Sequence, residues 1–296
     1  MDAKELENWR KAGKIAAEAL AYGKSLIKKG ALLLDVSEAV DKKIIELGGK
    51  PAFPAQISCD HIAAHYCAEP DEKTVFDKQV ASLDVGVHVD GCIGDCACTV
   101  DLSGEHTDLV KAAEEALANA IKIIRPGVTL GEIGRVIHET ITAKGFSPIR
   151  NLSGHGLSKF NIHDLPTIPN FDTGDKTKLV DGQIIAIEPF ATNGAGMIYE
   201  TERANIFALV DLKPVRDMFA RQILAEIAEE YASLPFTTRW LVKKFPLGKV
   251  NYALRELSKL GIIHSFSPLP EKNKGLVAQA EHTILVSETP EILTRI

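Results

Sequence analysis

The sequence predicts an α+β chain built as two similar halves that face each other across one site, with a helical segment inserted into the second half. Three observations lead there. Amphipathic helices alternate with short strand-like runs, two stretches repeat in common register, and four acids stand inside otherwise apolar strands. These are Asp84 in ASLDVGVHV, Asp95 in CIGDCACTV, Glu188 in IIAIEPF and Glu281 in VAQAEHTILV.

A first helix is expected from near Lys4 to Lys29, stopped by Gly30. A second starts after Asp35, with Glu38 completing a capping box, and ends at Gly48 and Gly49. Its apolar Val36, Val40, Ile44 and Leu47 recur at helical spacing. Asp90-Gly91 then marks a two-residue hairpin turn between alternating strands. With that turn, paired positions sum to 181 (89 + 92), so Asp84 faces Ala97 and Asp95 is its diagonal neighbour. Diagonal Cβ atoms lie on the order of 7 Å apart, within reach of one shared ion.

A third helix covers Thr107 to Ile124 and breaks at Arg125-Pro126-Gly127. Thr129 and Glu132 form a capping box for a fourth, ending near Gly145. Gly30 and Gly127 differ by 97 positions, as do Gly48 and Gly145, and Pro51 and Pro148. Leu33, Val36, Val40 and Ile44 fall opposite Leu130, Ile133, Ile137 and Ile141. Such a two-copy repeat points to duplicated halves rather than a solenoid.

The second half offers strands around Ile184 to Phe190 and Val277 to Val286, separated by a long stretch. Within it, DMFARQILAEIAEEY and VNYALRELSKLG read as helices. The expected division is therefore residues 1–193 with 273–296 as the main body, and 194–272 as a helical insertion.

A net charge of -6 argues against nucleic acid or an anionic membrane as the main partner. No apolar run nears the roughly 18 residues of a membrane span, and the charged N-terminus has no signal-peptide core. Five cysteines without C-x-x-C spacing point to reduced thiols and a cytoplasmic location. Cys92, Cys96 and Cys98 crowd one ribbon, but Cys96 and Cys98 face away from Asp95 if the strand is regular, so they read as small buried hydrophobes rather than zinc ligands.

An unpaired buried carboxylate is costly, and no Lys or Arg stands near the four acids in sequence. A cation from outside the chain is the economical partner. His155, between two glycines in NLSGHGLS, supplies an imidazole where the backbone is expected to be permissive. Four carboxylates and one neutral imidazole balance two divalent cations, and this donor set suits Mn, Fe(II), Co or Zn. Two such ions activate a water and polarise a carbonyl, so the implied chemistry is hydrolysis. His65 and His163, 98 positions apart, are candidates for oxyanion stabilisation or proton transfer. The remaining histidines are expected to be structural or exposed.

The segments PAFP, IAAHY, DVGVHVDG, NLSGH, IHDLPTIPN, IAIEPFAT and AQAEHTI together resemble methionine aminopeptidase type 2 of the M24 metallopeptidases, in its archaeal form. The resemblance runs through nearly the whole chain. It implies the pita-bread fold, with pseudo-two-fold halves and a helical insertion before the last ligand. It also implies that Asp84 binds one metal, His155 and Glu188 the other, with Asp95 and Glu281 bridging. A hydroxide held between the ions would attack the first peptide bond, with Glu188 as proton shuttle. His163 would steady the oxyanion or substrate backbone and His65 the scissile amide. Phe53, Ile162 and Phe266 would enclose the methionine side chain.

The substrate implied is the N-terminus of a nascent polypeptide with a small second residue. A monomer is the default expectation, and any ribosome contact would be transient. Two positions depart from the family: Ala280 stands where a Phe is frequent, and Phe266 where an aromatic hydroxyl is. Both are expected to alter the shape of the substrate pocket. The rival readings are a proline-specific peptidase of the same fold and a non-catalytic pita-bread protein that binds ribosomes or RNA.

Overall fold

The structure, a computed structural model, describes residues 1–296. Its first half runs α1 (Ala3–Leu26), α2 (Leu33–Glu46), β1 (Lys50–Pro51), β2 (Gln56–Cys59), β3 (Val80–Val89) and β4 (Cys92–Asp101). The second runs α3 (Thr107–Ile123), α4 (Leu130–Ala143), β5 (Ser147–Pro148), β6 (Ser153–Ser158), β7 (Asn161–Pro169), β8 (Ile184–Ile187) and β9 (Phe190–Thr192). Adding 97 to the limits of α2 and β1 gives the limits of α4 and β5 at both ends. Gly48 and Gly145, which follow the paired helices, share a left-handed backbone with φ of 83° and 82°. Glycine adopts that conformation without a Cβ penalty. The sequence repeat is a structural repeat.

The two helix starts differ from one another. Thr129 and Glu132 close the expected capping box on α4. At α2 the expectation fails, because the helix begins at Leu33 and no side chain caps it. Leu33 N–H is instead satisfied by the Thr74 carbonyl, and Asp35 sits in the first turn, where the helix dipole favours an acid. Glu38 turns away to meet Arg239 and Lys243.

After residue 272 the chain returns as β13 (Val277–Gln279), β14 (Glu281–Leu285) and β15 (Glu291–Ile292). The main sheet has nine strands in the order β1-β3-β4-β14-β8-β6-β7, with β2 and β15 added beside it. The halves meet where β4 pairs with β14. α1 and α2 pack on the first half through a core of Val40, Ile44, Leu83 and Val85. α3 and α4 pack on the second through Leu117, Ile133, Ile185 and Ile284.

Residues 194–272 contain β10 (Ile206–Leu209), α5 (Met218–Glu230), β11 (Phe236–Thr237), α6 (Thr238–Leu241), α7 (Leu247–Lys259) and β12 (Ile263–Phe266). The two expected helices are present as α5 and α7, and the helical expectation is corrected by β11-β10-β12, which form an antiparallel sheet of their own. Those strands are two to four residues long, too short to show a period-2 pattern. α5 and α7 share a separate core with this sheet.

Fully buried Glu271 ties the start of this segment to its end. Its carboxylate accepts hydrogen bonds from the N–H groups of Ala195, Gly196, Asn273 and Gly275 at 2.5–3.1 Å. Glu271→Ala strands four donors and is expected to lower stability by about 3 kcal/mol. A fall in the urea midpoint with unchanged slope checks this.

Candidate metal centre and active site

The first hairpin has the register its turn dictates: Asp84 opposes Ala97, Gly86 opposes Asp95, and the two carboxylates are diagonal neighbours. The second hairpin is split. β8 and β14 pair residues that sum to 469 (187 + 282), and β9 and β13 keep the same sum (192 + 277). Glu188 and Glu281 also sum to 469 and sit in the gap between the two ladders. Pro189 has no N–H to donate, which suits a break in pairing at that point. The acids of the second half are therefore directly opposed, where those of the first are staggered.

Threonine hydroxyls stitch the seam between halves. Thr283 Oγ1 accepts from the Asp95 N–H and donates to the Asp95 carbonyl, both at 2.8 Å. Thr99 makes the same exchange with Gln279, at 2.8 and 2.7 Å. These bonds stand in for ladder hydrogen bonds beside the site.

His155 lies on β6, opposite Ala186 of β8. Its flanking glycines have a different role from the one expected. Neither has a positive φ. A Cβ on Gly154 would lie 2.3 Å from the Ala186 carbonyl oxygen, and one on Gly156 2.0 Å from that of Leu165. The glycines permit close strand approach rather than backbone freedom. His155 Nδ1–H donates to the Gly156 carbonyl at 3.1 Å, which leaves the Nε2 lone pair free. That nitrogen faces Glu188 Oε1 at 3.4 Å and Asp95 Oδ2 at 3.8 Å. Burial, helped by neighbouring His163, holds the His155 pKa down to about 3. A neutral imidazole with its free nitrogen turned toward carboxylates is set to bind a metal rather than to form an ion pair.

The four acids are buried together and repel one another. Burial pushes the Asp84 carboxyl up to about 7. Burial and mutual repulsion raise Asp95, Glu188 and Glu281 well above the ordinary carboxylate range. No Lys or Arg pairs with any of them; His155 is the one basic side chain in contact. One oxygen of Asp84 and one of Asp95 are buried without a hydrogen-bond partner. Ligand atoms of Asp95, His155 and Glu281 all lie within 4.8 Å of one another. The donor set and its orphaned oxygens fit divalent metal.

Sequence reasoning missed Gln279. Its Nε2 stands 3.3 Å from Glu281 Oε2 and 3.5 Å from Glu188 Oε2, holding two acids that would otherwise repel freely. The available signal was its place two residues before Glu281, hence on the same strand face. Gln56, opposite Asp84 across β2 and β3, was missed as well.

All ten residues singled out in the sequence line one cavity of about 410 Å³. Beyond the four acids and the His155 imidazole they are His65, His163, Phe53, Ile162 and Phe266, and Phe190, Ile206 and Pro235 join them. The His163 ring meets His155 edge-on at 4.8 Å between centroids, and Phe266 lies 5.6 Å from His65 and 5.9 Å from His163. Burial holds His65 down to about 4 and His163 below its ordinary value, so both are neutral. Ala280 departs from expectation: it belongs to the α3–α4 core on the other side of the sheet. There it lines a second cavity with Ala97, Cys98 and Leu117 and does not shape the substrate pocket.

Known proteins resemble this chain in sequence and fold. The sequence profile of metallopeptidase family M24 matches residues 7–288. A methionine aminopeptidase of Thermococcus onnurineus is 46% identical over 292 residues, covering 98% of this chain and 99% of that one. One from Archaeoglobus fulgidus is 44% identical over 295 residues, covering 99% of each. Among solved structures, a methionine aminopeptidase of Thermotoga maritima superposes with a TM-score of 0.73 at 26% identity, covering 100% and 98%. A thermophilic Arx1 does so at 0.86 with 16% identity, covering 99% and 91%, which speaks to fold alone. The fold is the pita-bread fold, and the chain belongs to metallopeptidase family M24 and, within it, to the methionine aminopeptidases.

Proposed function

We propose that the chain removes the N-terminal methionine from nascent proteins and peptides whose second residue is small, using two divalent ions. The observation that carries this reading is that Asp84, Asp95, His155, Glu188 and Glu281 line one cavity together with Phe53, Ile162 and Phe266. Asp84 would hold one ion, His155 and Glu188 the other, and Asp95 and Glu281 both. When bound, the ions supply an activated water and a polarised peptide carbonyl. Cobalt, manganese, iron(II) and zinc all suit these donors, and availability selects among them.

The chain's own groups do the remaining work. Glu188, with its carboxyl raised, takes up a proton and passes it to the departing amine. Neutral His163 offers an N–H where negative charge develops on the carbonyl oxygen. His65 steadies the amide of the bond being cut. Phe53, Ile162 and Phe266 enclose the methionine side chain, whose sulfur gains about 0.3–1.5 kcal/mol against aromatic rings. The reading includes a catalytic body of 1–193 and 273–296 served by the 194–272 segment, in a cytoplasmic monomer with at most transient ribosome contact. No helix is long and apolar enough to cross a membrane.

Mass spectrometry of Met-Ala-Ser and Ala-Pro incubations tests the activity. Methionine release from the first, with the second left intact, is expected; the reverse would assign a proline-specific peptidase. His65→Ala is expected to lower kcat by about a hundredfold with metal content unchanged. Loss of metal in that variant would make His65 a ligand.

A further inference from the structure

His65 belongs to no strand or helix, and its backbone is left-handed, with φ of 63°. A non-glycine residue keeps that conformation only when its surroundings impose it. β2 holds the adjoining Tyr66 through Ile57 N–H and Ser58 Oγ, and the 194–272 segment supplies further surroundings on both flanks. Before His65, Ala63 N–H donates to the Leu269 carbonyl at 2.8 Å, and Leu269 N–H to the Ala64 carbonyl at 3.1 Å. After it, the Cys67 carbonyl accepts from Asn205 Nδ2 at 2.6 Å. The Cys67 thiol lies 3.6 Å from Thr237 Oγ1 and 3.9 Å from Arg239 Nη2.

Arg239 is itself fixed by a buried network. Only 2% exposed, it pairs with Asp41 at 2.9 Å and Glu38 at 2.5 Å, both on α2. Trp240 Nε1 donates to the same Asp41 carboxylate at 2.8 Å. Three pieces distant in sequence, α2, the 65–68 stretch and α6, thus meet at one guanidinium. Neither Asn205 nor Arg239 lines the cavity.

We infer that Asn205 and Arg239 are positioning residues that act through His65: the inserted segment grips the chain two residues beyond it and so sets where its imidazole stands. This rests on the role given to His65 above. A misplacement of about 1 Å is enough to cost up to a hundredfold in rate.

The test is a double-mutant cycle in the metal-loaded, full-length protein. Asn205→Leu keeps the branched outline and the number of heavy atoms and removes the donor to Cys67. It is expected to lower kcat on Met-Ala-Ser by about tenfold to a hundredfold with KM changed less than about threefold. In a His65→Ala background the same change is expected to leave kcat where it is, since residues acting through one another are not additive. Arg239→Met with Asp41→Asn, which leaves no unpaired buried charge, should behave alike. If that variant does not fold, the Asn205 cycle decides alone. An undiminished kcat in Asn205→Leu, or an equal loss in both backgrounds, overturns the inference.

Imidazole NMR separates this outcome from failure of the peptidase reading. The His65 ring resonances, assigned by their absence in His65→Ala, are expected to shift in Asn205→Leu while those of His282 stay fixed. Should the wild type show no turnover, the peptidase reading fails and this spectrum alone decides: an unmoved His65 signal contradicts the positioning role.

Discussion

Asp84→Asn and His155→Ala are each expected to lower turnover of Met-Ala-Ser by about a thousandfold or more, roughly 4 kcal/mol of barrier. The first keeps the shape of the side chain and removes its charge, in a site where one Asp84 oxygen already lacks a hydrogen-bond partner. The second removes the nitrogen that lies 3.4 and 3.8 Å from two buried carboxylates. Neither side chain belongs to the apolar cores, so far-UV circular dichroism is expected to be unchanged. Metal content by atomic absorption should fall along with activity. Full activity in both variants would show that these residues are not ligands.

The second large effect concerns the metal-free protein. Burial raises the Asp84 carboxyl from 3.8 to about 7, so folding takes up a proton there. The stability this group contributes is fully present below its unfolded value, near pH 4, and is lost as pH rises through about 7. That loss is on the order of 4 kcal/mol. Asp95, Glu188 and Glu281, raised well above the ordinary range, extend it to higher pH. Paired acids such as Glu38 and Asp101, whose values are lowered, act in the opposite sense but at more acidic pH. Buried histidines held below 6.5, among them His65, His155 and His282, make stability rise with pH up to about 7, so the window from roughly pH 7 to 8.5 isolates the site. Metal-free protein is expected to melt progressively lower across it. Mn²⁺ at about 100 times its Kd should restore roughly 2.7 kcal/mol. Asp95→Asn, which removes one of four repelling charges, should stabilise the metal-free form at pH 8 while abolishing activity. A flat melting profile across this window would mean the acids are neutralised by other means.

Much of this was legible because it is local. The Asp90-Gly91 turn fixes a register, and the register fixes which face Asp84 and Asp95 share. The repeat of glycines at a spacing of 97 carries helix limits with it. The acids announced themselves by being expensive where they stand. What stayed hidden depends on partners far away in sequence. The α2 cap was misread because Thr74 satisfies Leu33 and Arg239 takes Glu38. Gly154 and Gly156 look like flexible residues until β8 and the Leu165 backbone are seen to close on them. Ala280 is tied to the substrate pocket by the family resemblance alone, although simple alternation from Glu281 puts it on the opposite face, where it packs in the α3–α4 core. The three strands of residues 194–272 are held by each other and by tertiary packing, not by pattern.

The most direct measurement is anomalous scattering from a crystal of the protein loaded with Mn²⁺. Two peaks roughly 3.5–4 Å apart are expected, with Asp84 at one, His155 and Glu188 at the other, and Asp95 and Glu281 at both. No peak among these side chains, or the ions bound elsewhere while the protein still cleaves Met-Ala-Ser, would contradict the account.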